Sequence, residues 1–193
     1  MRVSKAKAEE SRQSVVDAAS HLIRARGLDG VAVSELMQAA GLTHGGFYKK
    51  FGSRDDLVQQ ATAQALARGR QRYTNLVATT KDDPLAAVVH NYLTPEHRDK
   101  TGEGCTLAAL APEVSRSDDN ALHEIFSEEL TAFLDLLEGV LSPQPDEAAR
   151  DRAASTLSTL VGALILSRLS EDPALSERFL RASADAILSP PAA

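Results

Sequence analysis

Val33-Ser34-Glu35-Leu36-Met37-Gln38-Ala39-Ala40-Gly41-Leu42-Thr43-His44-Gly45-Gly46-Phe47-Tyr48-Lys49-Lys50-Phe51 is the stretch that decides the fold of this chain. Leu36, Met37 and Ala40 share one side of a short helix that stops at Gly41. Thr43 is placed to cap a second short helix, in which Phe47 and Phe51, four residues apart, face inward. His44, Gly45, Tyr48, Lys49 and Lys50 are left facing out. A short helix, a turn and a second helix with a polar outer side is the layout that sets one helix into the DNA major groove.

The flanks extend that reading. Upstream, Val15, Ala18, Ala19, Leu22 and Ile23 give one apolar face to a helix from about Glu9 to Arg26, and Gly27 stands where a left-handed residue ends it. Downstream, Ser53-Arg54-Asp55-Asp56 is a capping-box variant with Asp in place of Glu. It opens a long helix from Arg54 to about Thr79, with Leu57, Ala61 and Ala65 inward. A helix of that length leaves the first bundle and enters the next. The boundary between 1–55 and 56–193 is therefore expected inside a helix, not in a loop.

The rest of the chain also reads as helices. Asp83-Pro84 starts one that runs to about Leu93, and 94–104 reads as an irregular connection. A short helix spans Thr106 to Ala111, with Pro112 kinking it or opening a new turn. Ser117 is the expected cap of a helix carrying Leu122, Ile125, Phe126, Phe133, Leu137 and Val140. Helices of about 146–170 and 173–189 complete the chain, and the tail from Pro190 is expected to fray. With 43% hydrophobic residues, 4% aromatics and no confident period-2 strand, the fold class is all-α, with about nine helices.

Net charge is −6, but it is unevenly spread. Residues 1–54 hold nine Lys/Arg against five acids, a balance of +4, and the remainder carries −10. A basic head on an acidic body suits phosphate contact at one end, although chance alone can also produce such a split. Thr43, Tyr48, Lys49, Lys50, Ser53 and Arg54 supply hydroxyls and cations to one surface. Thr43, His44 and Gly45 stand nearest the base edges, and Gly45 and Gly46 allow close backbone approach. The competing reading makes Tyr48 a core aromatic and the lysines a solvated face. Arg2, Lys5, Lys7 and Arg12 read either as a minor-groove or phosphate arm or as a solubilising tail.

Gly46-Phe47-Tyr48-Lys49-Lys50-Phe51-Gly52-Ser53-Arg54-Asp55-Asp56-Leu57, with Ala18-Ala19, Ile23, Gly27 and Ala39-Ala40-Gly41-Leu42, resembles the tetracycline-repressor (TetR) family of bacterial transcription regulators. The resemblance covers about residues 11–60. It departs from the usual pattern at Gly45-Gly46 and at Ala32, where a hydroxyl cap is more usual. It implies a three-helix DNA-binding head, a helical body with a small-molecule pocket, and a homodimer made by the last two long helices. A repressor released from a pseudo-palindromic operator by an inducer follows. Tyr92 to Arg98, with Gly104-Cys105-Thr106-Leu107, resembles a subgroup with a cysteine at the start of the sixth helix, some of whose members sense electrophiles.

Cys105 precedes a helix whose amides stabilise a thiolate. It is either a reactive sensor or an inert packed thiol. Tyr92, Leu107, Leu110, Phe126 and Leu130 are candidate pocket residues by helix face alone. Leu157, Leu160, Val161, Leu164 and Phe179 are candidate dimer-interface residues, since small neighbours such as Ala154, Ser158 and Gly162 allow close helix approach. The same stripe equally suits a core face.

His90, His97, Cys105 and His123 lack metal-ligand spacing, no third group orients a Cys–His pair, and no phosphate-cradling glycine loop is present. Neither metal, cofactor nor catalysis is expected. A single cysteine excludes an internal disulfide, and no apolar run has the length of a signal or membrane segment, so a cytoplasmic protein is expected. The rival function is a helical small-molecule binding protein without an operator.

Overall fold

The computed structural model describes residues 5–42, 44–144 and 146–189. For Lys5, His44 and Gly45 only the backbone is described. Thr43, expected as a cap, lies outside the described residues, as do Arg2 and the tail from Pro190. Among the described residues there are nine α-helices, two 3₁₀ helices and no strand.

Helix α1 (Lys5–Arg26) ends at Gly27, whose φ of +85° only glycine adopts cheaply and whose N–H returns to Ile23 O (2.8 Å). Helix α2 (Val33–Ala39) begins at Ala32 without a side-chain cap. The Glu35 carboxylate instead accepts from Ala32 N–H (3.0 Å) and pairs with Arg26 (3.1 Å). Gly41, at φ +71°, closes α2, and Leu42 N–H donates to Met37 O (2.8 Å). The segment after Leu42 is a 3₁₀ helix, His44–Lys49, and not the expected α-helix. Six residues with an adjacent glycine pair have too little propensity to hold the wider turn.

Helix α3 (Arg54–Thr79) has the expected bounds. Ser53 Oγ accepts from Asp56 N–H (3.0 Å), and Asp56 accepts from Gly52 N–H (2.9 Å). The remaining helices are α4 (Pro84–Tyr92), α5 (Pro95–Asp99), α6 (Thr106–Val114), α7 (Asn120–Leu141), α8 (Glu147–Leu169) and α9 (Pro173–Leu188). The supposed irregular connection is thus mostly helical, with α5 capped by Thr94 Oγ1 on His97 N–H (3.0 Å) and Thr101–Glu103 forming a 3₁₀ turn. Asp119, and not Ser117, caps α7 through Ala121 and Leu122 N–H (3.0 and 3.1 Å). The Ser117 hydroxyl donates back to Val114 O (3.0 Å).

One apolar core runs from Val15 and Ile23 through Phe47, Leu57 and Val88 to Leu137, Leu164 and Ile187. Helix α3 packs on α1 and further along on α4 and α7, while α8 packs on α7 and α9. Leu160 and Leu164 are fully buried in that core. They therefore cannot meet a second protomer, which corrects their assignment to the interface. Leu157 is also buried.

Candidate nucleic-acid interface and ligand cavity

The 3₁₀ turn is held by an aromatic plug. Phe47 is 1% exposed, meets Phe51 at 5.6 Å between ring centroids, and receives the edge of Tyr48 at 5.1 Å. Tyr48 itself is 76% exposed, so it is not a core aromatic. Lys49 and Ser53 are exposed and Gly46 and Lys50 half-buried beside it. A hydroxyl and two ammonium groups therefore ride on a short plugged turn, chemistry suited to phosphate contact.

Two expected contacts take other roles. The Arg54 guanidinium is committed to Leu28 O and to Asp29 (3.8 Å), tying α3 to the α1–α2 loop. Arg12 belongs to α1, not to a loose arm. Its guanidinium lies 5.3 Å from the Phe51 ring centroid and its Nε reaches Lys50 O (3.4 Å), bracing the turn from behind.

The second feature is a cavity of about 240 Å³ between α1, α3, the α4–α6 segment, α7 and α8. Tyr92, Cys105 and Leu107, three of the candidate ligand residues, line it. Leu110 and Phe126 are instead buried in the packing, and Leu130 lies on the outer side of α7, so these three do not. Leu157, expected at the interface, forms part of the cavity wall. Sequence reading missed Arg70, Tyr73, Glu129 and Phe133 on the same wall. One signal was present, because Glu129 interrupts the buried stripe Leu122, Phe126, Phe133, Leu137 at its own register.

Burial raises the Glu129 carboxyl above its usual range, and Arg70, 3.0 Å away, opposes that shift. The Tyr73 and Tyr92 hydroxyls, on side chains 5% and 1% exposed, make no hydrogen bond of normal geometry. The Cys105 thiol lies within electrostatic reach of Tyr92.

His97 is clamped. Its Nδ1 lies 2.7 Å from Tyr92 O, and its Nε2 accepts from Cys105 N–H (2.8 Å), which assigns the proton to Nδ1. Burial pushes its pKa down to about 4, assisted by the Arg168 and Arg72 charges and opposed by the bond to Tyr92. The folded chain therefore favours neutral His97, a contribution fully present above about pH 6.5 and lost as pH falls toward 4. Denaturant titrations are expected to show about 3 kcal/mol of acid sensitivity that His97→Gln lacks. Equal slopes for the two proteins between pH 7 and 4 would contradict this clamp.

The cavity wall is wired to the head. Arg24 of α1 lines the cavity and its Nη1 donates to Gly104 O (3.1 Å), next to Cys105. Glu113 of α6 accepts from Leu28 N–H (2.7 Å), just after α1.

Residues 15–61 match the family model described as bacterial regulatory proteins, tetR family. The chain is 26% identical over 185 residues to the HTH-type transcriptional repressor BepR of Brucella suis, covering 89% of this chain and 84% of that protein. Its fold is similar to that of reduced NemR from E. coli (TM-score 0.78, 19% identity, 95% and 100% of the two chains). It is also similar to that of a TetR-family transcriptional regulator from Cytophaga hutchinsonii (TM-score 0.79, 18% identity, 97% and 96% covered). Residues 15–61 thus carry a helix-turn-helix domain of the tetR family, and the chain is a DNA-binding transcriptional regulator.

Proposed function

We propose that this regulator is a repressor that binds a pseudo-palindromic operator as a homodimer and leaves it when a small-molecule inducer enters the body. Residues 1–55 form the reading head, and 56–193 form the ligand-binding and dimerising body. The observation that carries the reading is the exposed Tyr48–Lys49 edge on the plugged turn, joined to the cavity wall through Arg24 and Gly104. Two heads related by two-fold symmetry enter successive major grooves about 34 Å apart. A ligand need only favour a body conformation in which the heads are wrongly spaced. No helix among the described residues is long and apolar enough to cross a membrane, which fits action at DNA in the cytoplasm.

Dimerisation draws on the outer faces of α8 and α9. Leu166, Leu169 and Leu175 are exposed there, with Val161, Ile165 and Phe179 half-buried beside them. An apolar face of this kind on two adjacent helices matches a two-fold four-helix interface. Of the five expected interface residues, Val161 and Phe179 lie on this side.

No catalytic step is proposed. Both His97 ring nitrogens are taken by backbone groups, so His97 is not available as a base for Cys105. Among the described residues no group of His, Cys, Asp or Glu is arranged to hold a metal ion.

Selecting bound duplexes from a random pool with the full chain tests the reading. An enriched inverted repeat is expected, with affinity falling steeply in salt and the slope shrinking by about 1 for each Lys49→Ala head. Failure to enrich any sequence would leave the rival small-molecule binding protein. A second reading, release by electrophiles, rests on the position of Cys105 beside the Gly104 carbonyl that Arg24 holds. It requires Cys105→Ser to stay on DNA when electrophile is added, and release of that variant rejects it.

A further inference from the structure

The cavity's polar groups are unevenly matched, and the imbalance specifies a ligand. Three of its acceptors are engaged: Gly104 O takes Arg24, Glu129 Oε2 takes Arg70, and His97 Nε2 takes Cys105 N–H. Its donors are in surplus. Arg68 and Arg72 line the cavity, each with one side-chain acceptor, Asp17 and Asn91, against five N–H groups on a guanidinium. The Tyr73 hydroxyl is buried in its wall without a hydrogen-bond partner, and the Tyr92 hydroxyl has only the Cys105 thiol beside it. Burial holds both phenols well above their ordinary range, so both remain protonated donors. A buried donor without an acceptor is costly, and an ionised acceptor repays it most.

The charge balance points the same way. Four lining arginines face two carboxylates, those of exposed Glu103 and of Glu129. The cavity is thus positive although residues 55–193 sum to −10. The remaining wall is apolar, from Leu66, Leu107, Phe133 and Leu157. Its volume of about 240 Å³ lies below the roughly 300–1,000 Å³ that holds drug-sized ligands.

We propose that the cavity binds a small organic acid of single-ring size, an arenecarboxylate, whose carboxylate accepts from the Tyr73 and Tyr92 hydroxyls while its ring rests on Leu107 and Phe133. This rests on the inducer-released regulator reading and names the class of inducer. Binding consumes the free donors, places a negative charge among the arginines and brings the ligand against Cys105, one residue from the Arg24–Gly104 link.

Calorimetry with the full chain, using benzoate, benzamide and toluene as probes, tests this. Benzoate is expected to bind at least about tenfold more tightly than benzamide, and toluene more weakly still. Tyr73→Phe and Tyr92→Phe are each expected to weaken benzoate by about tenfold or more, and Tyr73→Phe to leave Tm unchanged or raised because only an unpartnered hydroxyl is lost. Benzoate is also expected to slow alkylation of Cys105 by iodoacetamide. Equal affinity for benzoate and benzamide, or no loss in either tyrosine variant, overturns the proposal, as does absence of any benzoate heat. Tyr73→Phe alone decides the hydroxyl question if Tyr92→Phe does not fold. The same protein is run on its selected duplex. DNA binding without benzoate binding rejects this ligand and leaves the regulator, whereas benzoate binding without DNA binding keeps the site and rejects the operator reading.

Discussion

Phe47→Ala is expected to cost about 3–5 kcal/mol of stability and to abolish DNA binding, whereas Tyr48→Ala next to it weakens binding at least about tenfold at little structural cost. Phe47 is the plug under the 3₁₀ turn, almost wholly buried and in contact with two other rings. Removing it leaves a cavity that six residues of 3₁₀ helix cannot collapse around. For a chain of this length the loss lowers Tm by roughly 10 °C. Tyr48 points to solvent, so its removal is expected to change stability by less than about 0.5 kcal/mol. Its loss is nevertheless expected to weaken operator binding at least about tenfold, since a contact made through a defined edge is worth about 1–3 kcal/mol. Thermal denaturation and gel shift on the selected duplex read the two effects separately. Operator binding by Tyr48→Ala at wild-type strength would move the reading surface elsewhere.

A second pair of substitutions separates core from interface on one helix. Ile165→Lys with Leu169→Lys is expected to yield a folded monomer, because Ile165 is half-buried and Leu169 is 73% exposed on the outer side of α8. Two linked heads gain about 10²–10⁴ in apparent affinity over one, and the monomer forfeits that gain. Leu160→Ala, on the same helix but fully buried, is expected to lose about 2–5 kcal/mol while remaining a dimer. Sedimentation and denaturation measure these outcomes. A double-lysine variant that still sediments as a dimer would place the two-fold contact on another surface.

The interface assignment shows why a pattern of apolar residues did not suffice. Helix α8 carries leucines on both sides, inward at Leu157, Leu160 and Leu164 and outward at Leu166 and Leu169. With no wholly polar flank, the 3.6-residue period cannot say which side meets a partner. Helix α3 is the opposite case. Ser53 caps it, Leu57, Ala61 and Ala65 mark one face, and its ends fall where the residues put them. Short elements escaped for a third reason. Five residues of α5 are too few to display a period, and their stability comes from the Thr94 cap and the contacts of buried His97. The head was readable because its signals are local: glycines at Gly27 and Gly41, aromatic anchors at Phe47 and Phe51. The cavity was not, because Arg24, Tyr73, Tyr92, Cys105 and Glu129 come from separate helices and only packing brings them to one wall.

Helix α3 passes without interruption from Arg54, beside the turn, to Tyr73, on the cavity wall. Those 19 residues of rise make a stiff arm of about 28 Å. Pivoting that arm by about 10° at its cavity end swings the far end by roughly 5 Å. In the proposed dimer, a small adjustment at Tyr73 would be amplified in this way at Arg54, and across the two-fold axis it would double. Under the proposed release mechanism, sensitivity to the occupant's size would be set by mechanical advantage, and a mid-helix glycine that softened the arm is expected to blunt the response without touching either end.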